Sequence, residues 1–305
     1  MRITLRQLQI FISIAKCGST TAAGEEIALS QSAISASIAE LEKIVNTQLF
    51  DRVGRRLQLN DHGRAMMPHA LALVDRAENL EKLYASDNAP STLIVGASLT
   101  IGNYLLPRLL SAYWRQQGLS LSDALPPLQI AVANTADIIH KVANFEVDIG
   151  LVEGACHHPN ITVKPWLKDE LLLVASSDHP LVRQYDNRII PTEQLADANW
   201  LLREPGSGTR EALEQALSPD ISHMRSTLEF SDHEAIKHSA AEGLGIACLS
   251  RLVVSDMLTS GKLAQLNTKF SGLHRRFSLL LHHQKQVTPG MQHFIEHALR
   301  ENRPS

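Results

Sequence analysis

Cysteine is scarce in this sequence, with three residues in 305, and the scarcity limits the kinds of site it can build. Cys17, Cys156 and Cys248 form no CxxC pair and show no metal-ligand spacing. Small buried side chains are the favoured interpretation of all three, and a redox switch is the alternative. Two adjacent histidine pairs, at 157–158 and 282–283, lack a third ligand at a suitable spacing. We expect no metal and no cofactor.

Long apolar runs and an export signal are missing as well. No stretch approaches the roughly eighteen consecutive apolar residues that a transmembrane helix needs. Arg6, Gln7 and Gln9 interrupt the apolar N-terminus, where a signal peptide would have its core. The composition, 44% hydrophobic and 20% charged, is typical of globular proteins, and the length fits two or three domains. We expect a cytoplasmic protein with no membrane partner.

Negative charge exceeds positive charge overall, but the N-terminal segment shows the opposite balance. The formal net charge is −3, whereas residues 1–66 carry eight basic and six acidic side chains. The first segment is therefore +2 and the remainder −5. A basic head on an acidic body is consistent with a domain that binds nucleic acid.

The first 45 residues show the spacing of a helix-turn-helix. Apolar residues recur every three or four positions over residues 5–15, which predicts an amphipathic helix that ends at Gly18. A short second helix over about residues 20–27 follows, and Ser30 can cap a third helix over about residues 31–45. Two short helices, a tight turn and a third helix match the helix-turn-helix plan.

Polar and basic residues occur where such a fold meets DNA. Gln31, Ser32 and Ser35 face outward at the front of the third helix, with donors and acceptors that can read base edges. Alternating stretches at 49–52 and 57–59 flank a basic turn, which predicts a two-stranded wing whose arginines contact phosphates. A merely solvated surface is the alternative for both. The DNA-binding residues that we predict are Thr20, Ser30, Gln31, Ser32, Ser35, Arg52, Arg55 and Arg56.

A heptad pattern follows over about residues 60–87. Its apolar positions alternate spacings of four and three, which predicts a long helix that pairs with a copy of itself. Pro68 lies within the first turns, where it would kink or delay a regular helix. An amphipathic linker packed on its own chain is the alternative. The heptad residues are Met66, Ala70, Leu73, Ala77, Leu80 and Tyr84.

Behind this helix, strand and helix patterns alternate. Such alternation implies a largely parallel sheet with crossover helices. Crossings near residues 165 and 270 would join two α/β lobes around a cleft. The predicted strands are 92–96, 128–133, 147–152, 171–175, 200–203, 228–230, 245–249 and 277–282, and the predicted helices are 101–117, 136–145, 209–217, 234–242 and 290–300.

Polar residues follow several of these strands. Ligands of such sheets bind beyond the carboxyl ends of the strands, near helix N-termini whose partial positive charge suits an anion. Arg203 and Arg210 are consistent with an anion as well. A simple helix cap is the alternative for each hydroxyl, but the recurrence at several strand ends favours a pocket. The ligand-binding residues that we predict are Ser98, Leu99, Thr100, Thr135, Glu153, Arg203, Gly208 and Thr209.

Residues 4–64 resemble the head of the LysR-type transcriptional regulators. The matching stretches are LRQLQIFISIAKCGSTTAAGEEIALSQSAISASIAELEKIVNTQLFDR and LQLNDHG. Many members of that family carry Arg at the position of Ala36, and the departure suggests an altered operator preference. The resemblance extends over the whole chain. It implies an α/β two-lobed effector domain similar to periplasmic binding proteins, preceded by an all-α winged helix-turn-helix and a long linker helix.

The same resemblance implies domain boundaries and partners. The winged helix-turn-helix would span 1–60, the dimerising linker helix 61–89 and the effector-binding domain 90–305. Lobe I would comprise about 90–165 and 270–305, and lobe II about 166–269. Members of the family bind double-stranded operator DNA, assemble as dimers or tetramers and act on RNA polymerase, so these are the partners that the resemblance implies.

A narrower resemblance concerns the effector. The stretches ASLTIGNYLLP, VDIGLVEG, LLREPGSGTRE and EAIKHSAAEGLGIACLSR are similar to the YeiE-like branch, which is related to the sulfur-assimilation regulators. This similarity implies a small polar anion as effector, with a sulfur oxyanion as one candidate. In the family, the cleft uses positions that match Ser98 and Thr100, with Glu153 and Thr209 nearby.

Two other functions compete with a regulator. A transport-type solute-binding protein would share the two-lobed domain, but it requires an export signal. An enzyme would require catalytic groups, and the sequence has no Gly-x-Ser-x-Gly motif and no carboxylate pair placed for acid–base work. Ser207 lies between two glycines, without a histidine or aspartate partner that the sequence identifies. We expect an effector-responsive regulator and no enzyme.

Overall fold

The computed structural model describes residues 2–54, 56–84, 92–119, 127–186, 188–220, 226–270 and 272–300. The chain divides into two compact units. The N-terminal unit comprises Met1–Ser91 with Ala143–Phe145 and His283–Gln286, and the C-terminal unit comprises Thr92–Val142, Glu146–His282 and Val287–Ser305.

Three helices open the N-terminal unit: α1 (Leu5–Cys17), α2 (Thr20–Glu26) and α3 (Gln31–Val45). Each helix follows a hydroxyl side chain that accepts a hydrogen bond from a backbone N–H in the first turn. These caps are Thr4, Ser19 and Ser30. α1 ends at Gly18, whose left-handed backbone (φ 69°) closes the last turn. The predicted helix-turn-helix is confirmed.

The apolar spacing of the sequence explains how these helices pack. Leu8, Phe11 and Ile14 on α1 and Ile34 and Leu41 on α3 are all buried in one core. Residues three or four apart lie on one face of a helix, so burial of this stripe fixes which face of α3 remains in water.

The approach of α2 to α3 requires a glycine. A Cβ atom at Gly24 would lie 2.6 Å from the carbonyl oxygen of Leu29, in the turn that leads into α3. A side chain at this position would push α2 and the turn apart, because that oxygen belongs to the backbone and cannot rotate away.

A hairpin follows α3, formed by β1 (Phe50–Val53) and β2 (Arg56–Leu59) in antiparallel register. The backbone N–H of Leu57 donates to the carbonyl oxygen of Gly18 at 2.9 Å, which fixes the hairpin to the end of α1. The predicted wing is confirmed. Arg52 and Arg56 are exposed on it, and Arg55 lies outside the described residues.

The long helix α4 (Asp61–Tyr84) includes Pro68 without interruption. The heptad pattern divides along it. Ala70 is buried in the core of the N-terminal unit, beside Leu71, whereas Leu73 and Leu80 are 48% and 59% exposed. The early part of the heptad therefore packs on its own chain, as the alternative held, and the later leucines lie in water.

The C-terminal unit is built on one mixed sheet. In its described part the strands are β3 (Leu93–Ser98), β4 (Leu128–Ala133), β5 (Ile149–Glu153), β6 (Ile161–Ser176), β7 (Asn199–Arg203), β8 (Ser226–Phe230), β9 (Ile246–Ser250), β10 (Leu263–Gln265) and β11 (Leu273–His282). The helices are α5 (Leu106–Gln116), α6 (Thr135–Ala143), α7 (Pro180–Tyr185), α8 (Thr192–Ala196), α9 (Gly208–Leu217), α10 (His233–Ala241), α11 (Arg251–Thr259) and α12 (Pro289–Arg300), with a π-helical turn over Ile101–Leu105. The strand order is β4-β3-β5-β11-β6-β9-β7-β8, and β10 pairs with β6.

Two long strands run through both halves of this sheet. β6 and β11 pair antiparallel from Leu171 and Leu273 to Ile161 and His282. The first part of β6 and the second part of β11 adjoin the parallel strands β5, β3 and β4, and we call this half, with its helices, lobe I. The other parts adjoin β9 and the parallel strands β7 and β8, which form lobe II.

Each lobe has its own apolar core. Phe277 and Phe294 are fully buried in lobe I, so α12 packs on this lobe near the end of the chain. Trp200 is fully buried in lobe II, where its Nε1 donates to the carbonyl oxygen of Leu195 at 2.8 Å. The carboxyl ends of the parallel strands in both lobes carry the polar residues predicted to bind a ligand.

The main error of the sequence analysis concerns the two long strands. The predicted strands 171–175 and 277–282 are only the later parts of β6 and β11. Pro165 and Lys168 lie in the first part of β6, and they interrupt the apolar pattern from which a strand is predicted. The structure also contains elements that the sequence did not predict, namely β10, the π-helical turn and the helices α7, α8 and α11.

The exposed leucines of α4 predict self-association through this helix. Replacing both residues, Leu73→Glu with Leu80→Glu, should break the pairing, because charged side chains cannot be buried unpaired in an apolar seam. Sedimentation velocity at micromolar concentration should show a dimer or larger species for the wild type and a smaller species for the double variant. Glu78→Lys changes charge on another face of α4 and should leave the mass unchanged. A monomeric wild type would contradict the prediction.

Candidate functional site

The front of α3 presents a cluster of neutral polar side chains. Gln31 Nε2 donates to Ser35 Oγ at 2.7 Å and to Thr20 Oγ1 at 3.2 Å, which joins α3 to the first residue of α2. Ser30 Oγ lies 3.0 Å from Ser32 Oγ. Gln31, Ser30 and Ser32 are exposed, and the other two are half-buried. This face offers neutral donors and acceptors that can form hydrogen bonds with base edges.

The wing adds positive charge to the same unit. Arg52 and Arg56 are exposed on opposite strands of the hairpin, in positions next to each other in the register. Ala36 is also exposed on α3, with a side chain too short to contact a base or a phosphate by a hydrogen bond. Contacts of the two kinds are therefore available: neutral polar groups from α3 and guanidinium groups from the wing.

A buried arginine connects the two lobes of the C-terminal unit. Arg275 lies on β11 opposite Asp169 on β6, and its Nε donates to Asp169 Oδ2 at 2.7 Å. Its Nη1 donates to Thr209 Oγ1 at 2.7 Å, in lobe II, and its Nη2 to Thr100 Oγ1 at 3.4 Å, in lobe I. Nη2 also lies 3.1 Å from Glu153 Oε2. One guanidinium group thus contacts both lobes and both long strands.

The lobes also meet directly at the ends of their strands. A Cβ atom at Gly208 would lie 2.1 Å from the carbonyl oxygen of Glu153, so only glycine permits this approach. The same carbonyl oxygen accepts a hydrogen bond from Thr135 Oγ1 at 3.0 Å. The backbone N–H of Ala136 donates to the carbonyl oxygen of Gly206 at 3.0 Å. The cleft between the lobes is therefore closed at this edge.

A second contact closes the cleft from the side of α10. Tyr104, in the π-helical turn of lobe I, donates from its hydroxyl to a carboxylate oxygen of Glu234. Lys237 Nζ donates to the same hydroxyl at 3.3 Å and lies 2.9 Å from Glu234 Oε2. The ring of His233 is 5.5 Å from the ring of Tyr104. Tyr104 therefore joins lobe I to α10 of lobe II.

Several buried polar atoms near the cleft have no hydrogen-bond partner within the described part of the chain. They are Ser98 Oγ, Glu153 Oε2, Arg203 Nη1, Ser207 Oγ and both ring nitrogens of His233, and each residue is at most 2% exposed. Buried polar groups are nearly always hydrogen-bonded in folded proteins, so a group of unsatisfied atoms indicates the position of a ligand or of water.

The helix-cap alternative fails for most of the predicted hydroxyls. Ser207 precedes α9 but makes no capping hydrogen bond, which leaves the first-turn N–H groups of that helix without this partner. Thr100 and Thr209 accept from Arg275, and Thr135 donates to the carbonyl oxygen of Glu153 within lobe I. Leu99 is half-buried and can offer only its backbone.

Two arginines that the sequence suggested for an anion are already paired. Arg203 donates from Nε and Nη2 to the two carboxylate oxygens of Glu204, both at 2.8 Å. Arg210 contacts Glu214 and Glu229 at 2.8 and 2.7 Å. Nη1 of Arg203 makes no hydrogen bond within the described residues, so the predicted contact between Arg203 and a ligand would use this nitrogen.

Asp169 and Arg275 are two residues of this cluster that the sequence did not predict, and the predicted list of ligand-binding residues also omits Ser207 and His233, which follow strands of lobe II. Arg275 lies two positions before Phe277, and Asp169 lies two positions before Leu171, and both apolar residues face the core. Because every second residue of a strand points to the same face, this spacing could have predicted that Arg275 and Asp169 point inward. Burial lowers the pKa of the His233 imidazole, which keeps the ring neutral at neutral pH.

A concavity is lined by residues of both long strands and of α9, and it shares Arg275 with the buried network. It has a volume of about 610 Å³ and is lined by residues that include Cys156, His157, Glu211, His274 and Arg276. Within the described ranges, no three His, Cys, Asp or Glu side chains are grouped as metal ligands. No helix among the described residues has the length and apolar character needed to cross a bilayer.

Comparison with known proteins identifies the family. Residues 5–64 match the bacterial regulatory helix-turn-helix of the lysR family, and residues 86–303 match the LysR substrate binding domain. The chain belongs to the LysR family of transcriptional regulators. It is therefore a DNA-binding regulator with an effector-binding domain, and not an enzyme.

Three comparisons show what this LysR-family protein is similar to. It is 42% identical over 304 residues to the uncharacterized HTH-type transcriptional regulator YeiE of Escherichia coli K12, with 100% of both chains covered. A full-length OxyR variant of Pseudomonas aeruginosa has a similar fold, with a TM-score of 0.69, 22% identity, and 98% and 95% of the chains covered. The regulatory domain of CcmR from Synechocystis PCC6803, in complex with 2-PG, is 27% identical with a TM-score of 0.60, covering 70% of this chain and 99% of that one.

The arginine that joins the lobes predicts a large effect on stability. Arg275→Met should lower the free energy of unfolding by about 3–5 kcal/mol, because it leaves two buried carboxylates, Asp169 and Glu153, without their shared cation. Arg276→Met, at the exposed neighbouring position, should change it by less than about 0.5 kcal/mol. Urea denaturation followed by circular dichroism measures both. Equal stability of the two variants would show that the network does not stabilise the fold.

Proposed function

We propose that this LysR-family regulator binds a small, polar, anionic effector between its two lobes, and that the effector modulates its DNA binding or activation. The observation that carries the proposal is the group of buried, unsatisfied polar atoms at the strand ends of both lobes. A ligand in a closed cleft between domains would supply the missing hydrogen bonds.

Three features support an anion. α9 begins at this cleft without a capping hydrogen bond from Ser207, and a helix N-terminus carries a partial positive charge. Ser98 and Ser207 contribute hydroxyl donors, and Arg203 contributes one free N–H edge. A sulfur oxyanion remains one candidate. CcmR, whose regulatory domain is similar in fold, was solved in complex with 2-PG, which supports a ligand within this domain.

The effector acts only if it binds one arrangement of the lobes more tightly than another. The closed cleft depends on contacts that a ligand would disturb or reinforce, namely the Arg275 network and the contact between Tyr104 and α10. Because these contacts join the two lobes, a ligand bound among them would change the relative stability of closed and open forms.

The DNA contacts that we propose are Gln31, Ser32 and Ser35 for bases, with Thr20 and Ser30 supporting them, and Arg52, Arg55 and Arg56 for phosphates. Double-stranded operator DNA is the partner of this surface, and self-association would pair two half-sites. We further propose that the regulator works in the cytoplasm, as a dimer or tetramer, and acts on RNA polymerase.

Two substitutions separate base reading from phosphate contact. Gln31→Ala should cost about 1–3 kcal/mol of binding and relax base preference at one position. Arg56→Ala should weaken binding to all sequences equally and reduce the slope of log K against log salt by about 0.9, since one phosphate contact is lost. Fluorescence anisotropy with operator and scrambled duplexes measures both. Unchanged binding in both variants would place the DNA surface elsewhere.

The effector site is tested by removing hydroxyl groups from lobe I. Thermal-shift screening of sulfate, thiosulfate, phosphate, acetate and malate should identify a stabilising anion, since selective ligands raise stability by mass action. Ser98→Ala and Thr100→Val should each weaken its binding by about 1 kcal/mol or more, because a hydrogen bond to an ionised group is lost. Isothermal titration calorimetry measures the affinity.

Thr92→Val is the matched control, because Thr92 is exposed at the opposite end of β3. It should bind the anion like the wild type. Wild-type affinity in both Ser98→Ala and Thr100→Val would move the site away from this cleft, for instance to the concavity lined by His274 and Arg276.

A further inference from the structure

Carboxylates outnumber guanidinium groups around the cleft before any ligand binds. Arg275 lies between the carboxylates of Asp169 and Glu153, and Arg203 is paired with Glu204 through two hydrogen bonds. Three carboxylates therefore face two guanidinium groups. The imidazole of His233 adds no charge, because burial lowers its pKa. A ligand with two full negative charges would meet a net negative surrounding in a poorly screened site.

The two carboxylates beside Arg275 differ in how many hydrogen bonds they accept. Asp169 is satisfied, since Oδ2 accepts from Arg275 Nε at 2.7 Å and Oδ1 accepts from Ser250 Oγ at 2.6 Å. Glu153 Oε2 is 3.1 Å from Arg275 Nη2 but receives no hydrogen bond of acceptable geometry. Three of the five N–H groups of Arg275 donate to Asp169, Thr209 and Thr100. A buried carboxylate oxygen therefore still requires a donor.

The other unsatisfied atoms are mainly donors. Ser98 Oγ, Ser207 Oγ and Arg203 Nη1 can each donate to an oxygen of a ligand. The neutral ring of His233 offers one donor and one acceptor, and neither nitrogen forms a hydrogen bond with the described residues, although Nε2 lies 3.7 Å from Glu234 Oε1. The cleft thus combines several hydrogen-bond donors with one ionised acceptor, the carboxylate of Glu153. A ligand that satisfies all of them has several acceptor oxygens and at least one O–H.

We propose that the effector is an oxyanion that retains a proton on oxygen, and that this O–H donates to the carboxylate of Glu153 while the other oxygens accept from Ser98, Ser207 and Arg203. The inference rests on the proposed function of this cleft. It excludes fully deprotonated oxyanions such as sulfate and selenate. Such an ion would place a negatively charged oxygen against the Glu153 carboxylate. With no proton between them, the two groups would repel each other and could not form a hydrogen bond.

Anion pairs of similar size that differ in protonation test this proposal. Phosphate and selenite carry a proton at about pH 7, whereas sulfate and selenate do not. We expect the full-length protein to bind phosphate or selenite at least about tenfold more tightly than the deprotonated partner at equal ionic strength, because a site built around a donor rejects ligands that lack it. Calorimetry and thermal shift measure the difference.

Glu153→Gln tests the residue itself. The amide of glutamine can donate as well as accept, so the preference should fall to less than about threefold and sulfate or selenate should gain affinity. Glu193→Gln makes the same chemical change at an exposed position on α8 and should keep the wild-type preference. A Glu153→Gln protein that keeps the full preference would overturn the assignment of the O–H to Glu153.

The wild type alone provides an independent test. Its affinity for selenite should fall as the pH rises through the second ionisation of selenite, while its weak affinity for selenate stays constant. This measurement tests the proposal even if the Glu153→Gln protein does not fold. Equal binding of both members of each pair, or tighter binding of sulfate and selenate, overturns the inference and leaves the proposed anion site intact. An absence of stabilisation by any of the screened anions refutes the site and this inference together.

Discussion

The buried guanidinium of Arg275 is the group on which the geometry of the C-terminal unit depends. A charge that is almost fully buried must be paired and hydrogen-bonded, and this one has partners on β6, in the turn after β3, at the end of β5 and at the start of α9. These partners come from distant parts of the chain, so satisfying one side chain requires both lobes and both long strands to be in place. The contacts of Arg275 thus specify how the two lobes are placed relative to each other, which packing within two separate apolar cores would not determine.

In the ligand site that we propose, the same group is present but is not a free cation. Arg275 organises the hydroxyls of Thr100 and Thr209 and lies beside Glu153, but its charge is already matched by carboxylates. Recognition is left to neutral donors, to the first turn of α9 and to one edge of Arg203. Hydrogen bonds of this kind select a ligand by its protonation and shape, and they permit release, because no isolated opposite charge must be separated.

The sequence predicted those features that depend on local spacing. The faces of α1 and α3 follow from residues three and four apart, and the strand-end hydroxyls follow from the rule that ligands lie beyond the carboxyl ends of parallel strands. Arg275 and Asp169 were not predicted, because they are 106 residues apart in the sequence and because a charged residue in a strand is usually exposed. The heptad of α4 was ambiguous for a related reason: an apolar stripe does not tell whether it faces its own chain, as Ala70 does, or a second copy.

Amide hydrogen exchange on the full-length protein, with and without a saturating amount of a stabilising oxyanion, tests the central claim most directly, because it locates the ligand without changing any residue. If the anion lies between the lobes, exchange should slow in the first turn of α9, in the turn after β3 and at the start of α10, where the N–H groups and hydroxyls converge. Exchange that is unchanged there, or protection confined to the segments around Cys156 and His274 that line the concavity, would contradict the account.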